Sequence, residues 1–192
     1  MEEIEVKFLD VNAHELQEKL KSIGAEKVGD FFYRRRVFDY PDWRLEEKGS
    51  WLRLRDEGDK ITLSFKQRLG IPKDGIGNDA GMEETEIVVS DFDTTAQLIL
   101  KLGFMEKHYA ENKRTRWVKD GIEFDIDTYP ELAPYLEIEA PSWGEIDKAI
   151  AWLGLNPADK KIFSTNQIYK LKGIHVSECS RLTFTDGVVK RT

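Results

Sequence analysis

Hydrophobic and polar residues alternate with a period of two through most of this chain. In Glu3-Ile4-Glu5-Val6-Lys7 the ionised side chains share one face of a β-strand and Ile4, Val6 and Phe8 share the other. The pattern returns in Trp51-Leu52-Arg53-Leu54-Arg55, Ile61-Thr62-Leu63-Ser64-Phe65-Lys66, Glu84-Thr85-Glu86-Ile87, Arg114-Thr115-Arg116, Glu123-Phe124-Asp125-Ile126-Asp127 and Leu136-Glu137-Ile138-Glu139. A solvated strand face more often mixes in Thr, Ser and Gln; these faces carry charges of both signs. Two longer stretches, Glu26 to Tyr40 and Phe104 to Val118, read as long strands, with Arg34 and Arg36 on one face of the first and Arg114 and Arg116 at the same relative place in the second. Glu57-Gly58-Asp59 and Asp120-Gly121 supply hairpin turns.

Helical spacing interrupts the alternation. Asn12 with Glu15 forms a capping box ahead of Leu16, Leu20 and Ile23, and Gly24 closes the helix. Ser90 and Asp91 open a second helix through Leu98, Ile99 and Leu102, which ends at Gly103. Ser142-Trp143-Gly144-Glu145 opens a third, striped by Ile146, Ala149, Ile150 and Leu153, and a shorter one is expected near Thr165–Leu171. The order is a β-α-β-β-β unit used twice. Residues 1–172 are expected to form the main domain and 173–192 a tail with one added strand near Arg181–Phe184. The Gly-rich stretch Leu69 to Gly81 reads as a lid or mobile entrance.

About eight strands with short turns can close into an antiparallel barrel, which removes exposed edges. If the apolar faces pointed inward, the amphipathic helices would have nothing to pack on. With the charged faces inward, the helices cover Ile4, Val6, Leu52, Leu54, Phe124, Ile126, Leu136 and Ile138. The fold class expected is therefore α+β: a closed eight-stranded tunnel with helices packed outside. A dry lumen of unpaired charges would be prohibitive, whereas a wet one containing both signs is tolerable.

Composition narrows the partners. The 192 residues carry 29 Lys and Arg against 36 Asp and Glu, a net charge of −7, which argues against non-specific nucleic-acid binding. The single cysteine, Cys179, can make no intramolecular bridge, which suits a reducing cytosol. The N-terminus is acidic and alternating, unlike a signal peptide, and no apolar run approaches the ~20 residues that span a bilayer. A cytoplasmic protein with no membrane partner is expected; a homodimer is left open.

Charged faces of both signs have a chemical use. Arg34, Arg36, Arg53, Arg55, Lys66, Arg114 and Arg116 can cradle a polyanion, since guanidinium forks match phosphate oxygens. Glu3, Glu5, Asp127, Glu137 and Glu139 offer the carboxylate oxygens that Mg²⁺ or Mn²⁺ prefers. Acids beside bases, with a divalent ion, suit phosphoryl transfer.

The Glu3–Lys7 segment matches the ExExK signature of the CYTH superfamily, the triphosphate tunnel metalloenzymes. The resemblance continues through Trp51-Leu52-Arg53-Leu54-Arg55, Lys66, Glu84-Thr85-Glu86, Arg114, Asp127 and Leu136-Glu137-Ile138-Glu139, over about residues 1–170. It implies a tunnel that binds a small-molecule triphosphate on basic residues beside acid-bound Mg²⁺ or Mn²⁺. By position, Glu3, Glu5, Glu137 and Glu139 resemble metal ligands, with Asp127 a further candidate. Lys7, Arg53, Arg55, Lys66 and Arg114 resemble triphosphate contacts, and Glu5, Lys66 and Arg55 are the expected catalytic residues. Glu84, Glu86 and Asp125 match acidic tunnel positions. The family often has a lysine two places before Arg114, where this chain has Asn112. The family contains inorganic, thiamine and RNA triphosphatases and class IV adenylyl cyclases. Such cyclases often carry a His-Phe pair just upstream of ExExK, which has no counterpart here, so a triphosphatase is the leading expectation. A cyclase converting ATP to cyclic AMP is the alternative, and a non-catalytic nucleotide or polyphosphate binder the third reading.

Overall fold

The computed structural model describes residues 4–68 and 82–191. Glu3 and the stretch 69–81, read above as a metal ligand and a lid, lie outside them. In chain order the elements are β1 (Ile4–Phe8), α1 (Ala13–Ser22), β2 (Glu26–Asp39), α2 (Arg44–Glu47), β3 (Ser50–Asp56), β4 (Ile61–Arg68), β5 (Met82–Val89), α3 (Phe92–Lys101), β6 (Met105–Lys119), β7 (Ile122–Thr128), β8 (Tyr135–Ala140), α4 (Trp143–Leu153), α5 (Thr165–Leu171), β9 (Cys179–Thr183) and β10 (Gly187–Lys190). The β-α-β-β-β order therefore occurs twice, with the short α2 inserted where a polar loop was expected.

The strand order is β1-β8-β7-β6-β2-β3-β4-β5, and β1 with β8, β8 with β7, β7 with β6, β2 with β3, β3 with β4 and β4 with β5 all pair antiparallel. Among the described residues the sheet is not closed by hydrogen bonds, so what stands is an antiparallel sheet with helices on its apolar face. The chain forms two compact units, one from Met1–Phe32 and Asn112–Glu178, the other from Tyr33–Glu111 and Cys179–Thr192. These units cut across the sequence repeat. The reason is strand length: β2 has 14 residues and β6 has 15, about 45–50 Å of extended chain each, so both run through the two units.

In the first unit β1, β8 and β7 align their apolar residues: Val6 faces Ile138 and Phe8 faces Leu136, while Phe124 and Ile126 face the same two from the other side. Leu16 and Leu20 of α1 and Ile146, Ala149, Ile150 and Leu153 of α4 close over that face in one cluster. The Asn12 carboxamide oxygen accepts the His14 and Glu15 N–H groups at the start of α1. Gly24, at φ +76°, makes the left-handed exit that a side chain would strain.

In the second unit Phe92, Ala96 and Ile99 of α3 pack on Phe38 and Leu54. The buried Asp39 carboxylate accepts the N–H groups of Leu45 and Glu46, both at 3.0 Å, and so satisfies otherwise orphaned donors at the start of α2. Two strands follow residue 173. β9 runs parallel to β6, Tyr109 opposite Arg181, and β10 pairs back on β9. Cys179 is buried at the start of β9 as a small hydrophobe. No helix among the described residues is long and apolar enough to cross a membrane.

Phe124 is fully buried in the first unit's core. Phe124→Ala should cost about 3–5 kcal/mol, read as a lowered midpoint in urea unfolding.

Candidate functional site

Each unit presents one charged face, opposite its apolar one. In the first unit the register sets Lys7 (β1), Glu137 (β8), Asp125 (β7) and Arg116 (β6) in one row, and Asp127 beside Arg114 in the next. This face is largely out of water: Asp127 is 0% exposed, Asp125 2%, Lys7 3% and Glu137 8%. Arg114 holds it together. Its guanidinium donates to both oxygens of Asp127, at 2.8 and 2.5 Å, and to Glu137 at 3.1 Å, and pairs with Asp125 at 2.5 Å. Arg116 grips Asp125 at 2.8 and 2.7 Å and lies 3.0 Å from Glu123. Lys7 bridges Glu137, at 3.0 Å, and Glu5. The buried Asn112 donates to Asp127 at 3.3 Å, at the place where a lysine would put another charge.

Burial raises the Asp127 carboxyl above the usual range although Arg114 opposes it. Burial also pushes Glu137 up, but Arg114 and Lys7 outweigh it and hold the carboxyl low. Burial opposes the Arg114 charge, yet Asp127, Glu137 and Asp125 prevail and raise its pKa well above normal. Arg114 and Arg116, predicted as phosphate contacts, are thus placed as counter-ions to acids, and two predicted metal ligands, Asp127 and Glu137, are already engaged.

One row differs. Glu5 stands opposite Glu139, and Glu139 opposite Glu123, three carboxylates across three strands, with Lys7 and Arg116 of the neighbouring row pairing to Glu5 and Glu123. The Glu5 side chain is 46% exposed. In donor type Glu5 and Glu139 fit a hard divalent cation. Among the described residues no group of three or more acidic, His or Cys side chains is assembled for an ion.

The second unit carries the basic face. Arg35, Arg55 and Thr62 stand in one row across β2, β3 and β4; Arg53, Ser64 and Glu86 in the next across β3 to β5; Trp51, Lys66 and Glu84 in a third. Lys66 pairs with Glu84 at 2.8 Å and Arg55 with Glu57, whereas Arg53 is 3.8 Å from Glu84. Burial, then the neighbouring Arg55 and Arg35 charges, push the Arg53 guanidinium down to about 10 in spite of Glu84 and Glu86. By contrast, carboxylates overcome burial to raise Arg34. Thr62 and Ser64 are 0% exposed, and their hydroxyls have no hydrogen-bond partner among the described residues.

Arg34 and Arg36 correct the sequence expectation. They lie on the opposite face from Arg53 and Arg55: Arg34 pairs with Asp56 at 2.8 Å, and Arg36 with Glu106 at 2.8 Å and Asp93 at 3.0 Å. Their guanidiniums sit over the Phe92 ring, at 4.5 and 5.4 Å from its centre. Alternation shows that 34 and 36 share a face but not which face meets that of β3. The register answers that: Arg35 is opposite Arg55. A run of three arginines was itself the available signal, because it must put one on each face. His108 on β6 was also missed. Burial first, then Lys107, Arg35 and Arg191, hold its imidazole neutral, with a pKa of about 4.

Residues 1–156 match the CYTH domain, and the chain belongs to that family. A protein of Methanocaldococcus jannaschii named "Putative adenylate cyclase MJ0240" is 28% identical over 178 residues, 93% of this chain and 92% of that one. Among solved structures, a "putative adenylate cyclase" from Vibrio parahaemolyticus superposes with a TM-score of 0.66 at 16% identity, covering 88% of this chain and 97% of its own. A "putative adenylyl cyclase" from Hippeastrum, described as having a dominant triphosphatase activity, gives 0.63 at 15% identity, covering 92% and 98%. At these identities the structural matches establish the fold.

The neutral His108 makes a pH prediction. Its folded pKa of about 4 lies below the 6.5 of a free imidazole, so its contribution is complete above pH 6.5 and is lost as pH falls toward 4. Relative to His108→Gln, the wild type should lose about 3 kcal/mol of stability over that window, read from urea midpoints at each pH.

Proposed function

We propose that this protein is a divalent-metal-dependent phosphohydrolase acting on a triphosphate-containing substrate. The observation that carries the reading is the basic face of the second unit. Arg53 is half-buried, crowded by like charge and only loosely countered, and beside it the buried Thr62 and Ser64 hydroxyls have no hydrogen-bond partner among the described residues. Such a face costs stability empty and is relieved by a polyanion. Arg53, Arg55 and Lys66 are the groups placed to grip phosphoryl oxygens. Family membership agrees with the reading, as does the triphosphatase activity described for the Hippeastrum protein.

Mg²⁺ or Mn²⁺ belongs to the same proposal. Glu5 and Glu139 would hold the ion, which would supply charge neutralisation when bound. Lys7 ties Glu5 to the buried Glu137 of the neighbouring row. A closed eight-stranded tunnel, a cytoplasmic location and small-molecule rather than nucleic-acid partners complete the proposal. The names given to the Methanocaldococcus and Vibrio proteins favour a second reading, conversion of ATP to cyclic AMP and pyrophosphate.

Product analysis by ³¹P NMR separates the readings. Protein incubated with tripolyphosphate and, separately, ATP, with Mg²⁺ or Mn²⁺ at alkaline pH, should release orthophosphate from tripolyphosphate. Cyclic AMP and pyrophosphate from ATP would establish the cyclase instead. Arg53→Ala should raise KM for tripolyphosphate about ten- to a hundredfold, and an unaltered KM would remove Arg53 from the site. Glu139→Gln should abolish turnover in a chain that still folds, checked by circular dichroism. It is a cleaner probe than Glu137, whose loss would strand the buried Lys7 and Arg114 charges.

A further inference from the structure

We propose that the cleft between β2, β6 and the β9–β10 hairpin is a second ligand site that takes a small sugar phosphate; this goes beyond the proposed function and does not rest on it. The cleft holds about 390 Å³, the size of a small-molecule pocket, and Arg34, Arg36, Tyr109, Arg181, Thr183 and Asp186 are among its lining residues. It belongs wholly to the second unit. Arg34 and Arg36 place it on the outer side of β2, away from the side on which Arg35 stands opposite Arg55. One wall comes from β9 and β10, which lie beyond the 1–156 family match.

Three guanidiniums meet here on two aromatic rings. Arg34 and Arg36 lie over Phe92, and Arg36 and Arg181 lie 5.6 and 5.8 Å from the centre of the Tyr109 ring. Their neutralisation differs. Glu106 and Asp93 engage Arg36, whereas Arg34 gives its Nε to Asp56 and reaches Asp93 only at 4.0 Å. Arg181 is exposed and has no ion pair among the described residues. Of the acids on the cleft, Glu106 is held by Arg36, and Glu111 accepts the Tyr109 hydroxyl at 3.2 Å and the Phe184 N–H at 3.0 Å. The buried Thr183 oxygen accepts the Asp186 N–H at 2.9 Å, which leaves its own proton to donate. Donors without acceptors thus converge from Arg181, Arg34 and Thr183, and a phosphoryl group would take them up. Asp186 adds a selective element. Its exposed carboxylate repels a bare anion but accepts hydrogen bonds from hydroxyls, so the cleft suits an anion that carries hydroxyls.

The test uses the full chain, with ribose 5-phosphate and inorganic phosphate as probes in isothermal titration calorimetry without added metal. The wild type should bind ribose 5-phosphate more tightly than inorganic phosphate. Arg181→Gln, at an exposed position, should keep the melting temperature and bind ribose 5-phosphate about ten- to a hundredfold more weakly. Asp186→Asn should weaken ribose 5-phosphate yet tighten inorganic phosphate, because it removes both the hydroxyl acceptor and the repulsion. Arg53→Ala, on the other side of the sheet, should leave both affinities unchanged. A wild type that takes up no ribose 5-phosphate at about 10 mM, or an Arg181→Gln variant that binds it equally well, overturns the site. Binding lost in Arg53→Ala and kept in Arg181→Gln puts the ligand on the basic face instead, which overturns this site and leaves the proposed function standing. An Asp186→Asn variant that binds both probes more tightly overturns the assignment of a sugar phosphate.

Discussion

The buried guanidinium of Arg114 is the interaction on which the first unit depends. Three carboxylates from two neighbouring strands converge on it, and two of them, Asp125 and Asp127, are almost wholly removed from water. Carboxylates so close would repel without it, and one or more would take up a proton. With it they stay in place, and Lys7 and Arg116 complete the neutralisation from the flanking strands. The arrangement exists because the other face of the same strands is committed to α1 and α4. Once the apolar residues are buried under helices, every alternate residue must point to the charged side, and the charges must neutralise one another locally.

The second unit solves the same problem differently. Its apolar face is covered by α3, so its charged face is equally obligatory. Here the neutralisation is partial: Lys66 and Arg55 have close acidic partners, while Arg53 does not. One face is a settled ion network and the other an unsettled one. That asymmetry in pairing, more than the number of charges, is what separates the two faces.

Two-residue alternation and helical stripes in the sequence were enough to define nearly every strand and helix, because burial of an apolar face leaves a period that survives in one dimension. They also identified the charged faces, and the ExExK and Arg-x-Arg patterns carried the family. What alternation could not supply was the phase between strands. Arg34 and Arg36 were read with Arg53 and Arg55, but the β2–β3 register puts Arg35 there instead. Likewise Arg114 read as a phosphate contact because it is basic and on a charged face; only its neighbours across β7 and β8 make it a counter-ion.

The sequence by itself determined the elements, their order, the two-faced strands and the family, since each follows from local periodicity or short motifs. Tertiary structure decided which charges meet. The β2 and β6 strands are long enough to serve both compact units, so spatial neighbours do not follow the sequence repeat. Whether an arginine is paired, and whether a threonine hydroxyl is left alone, depends on cross-strand register and burial. Those are properties of residues far apart in the chain, and no local pattern encodes them.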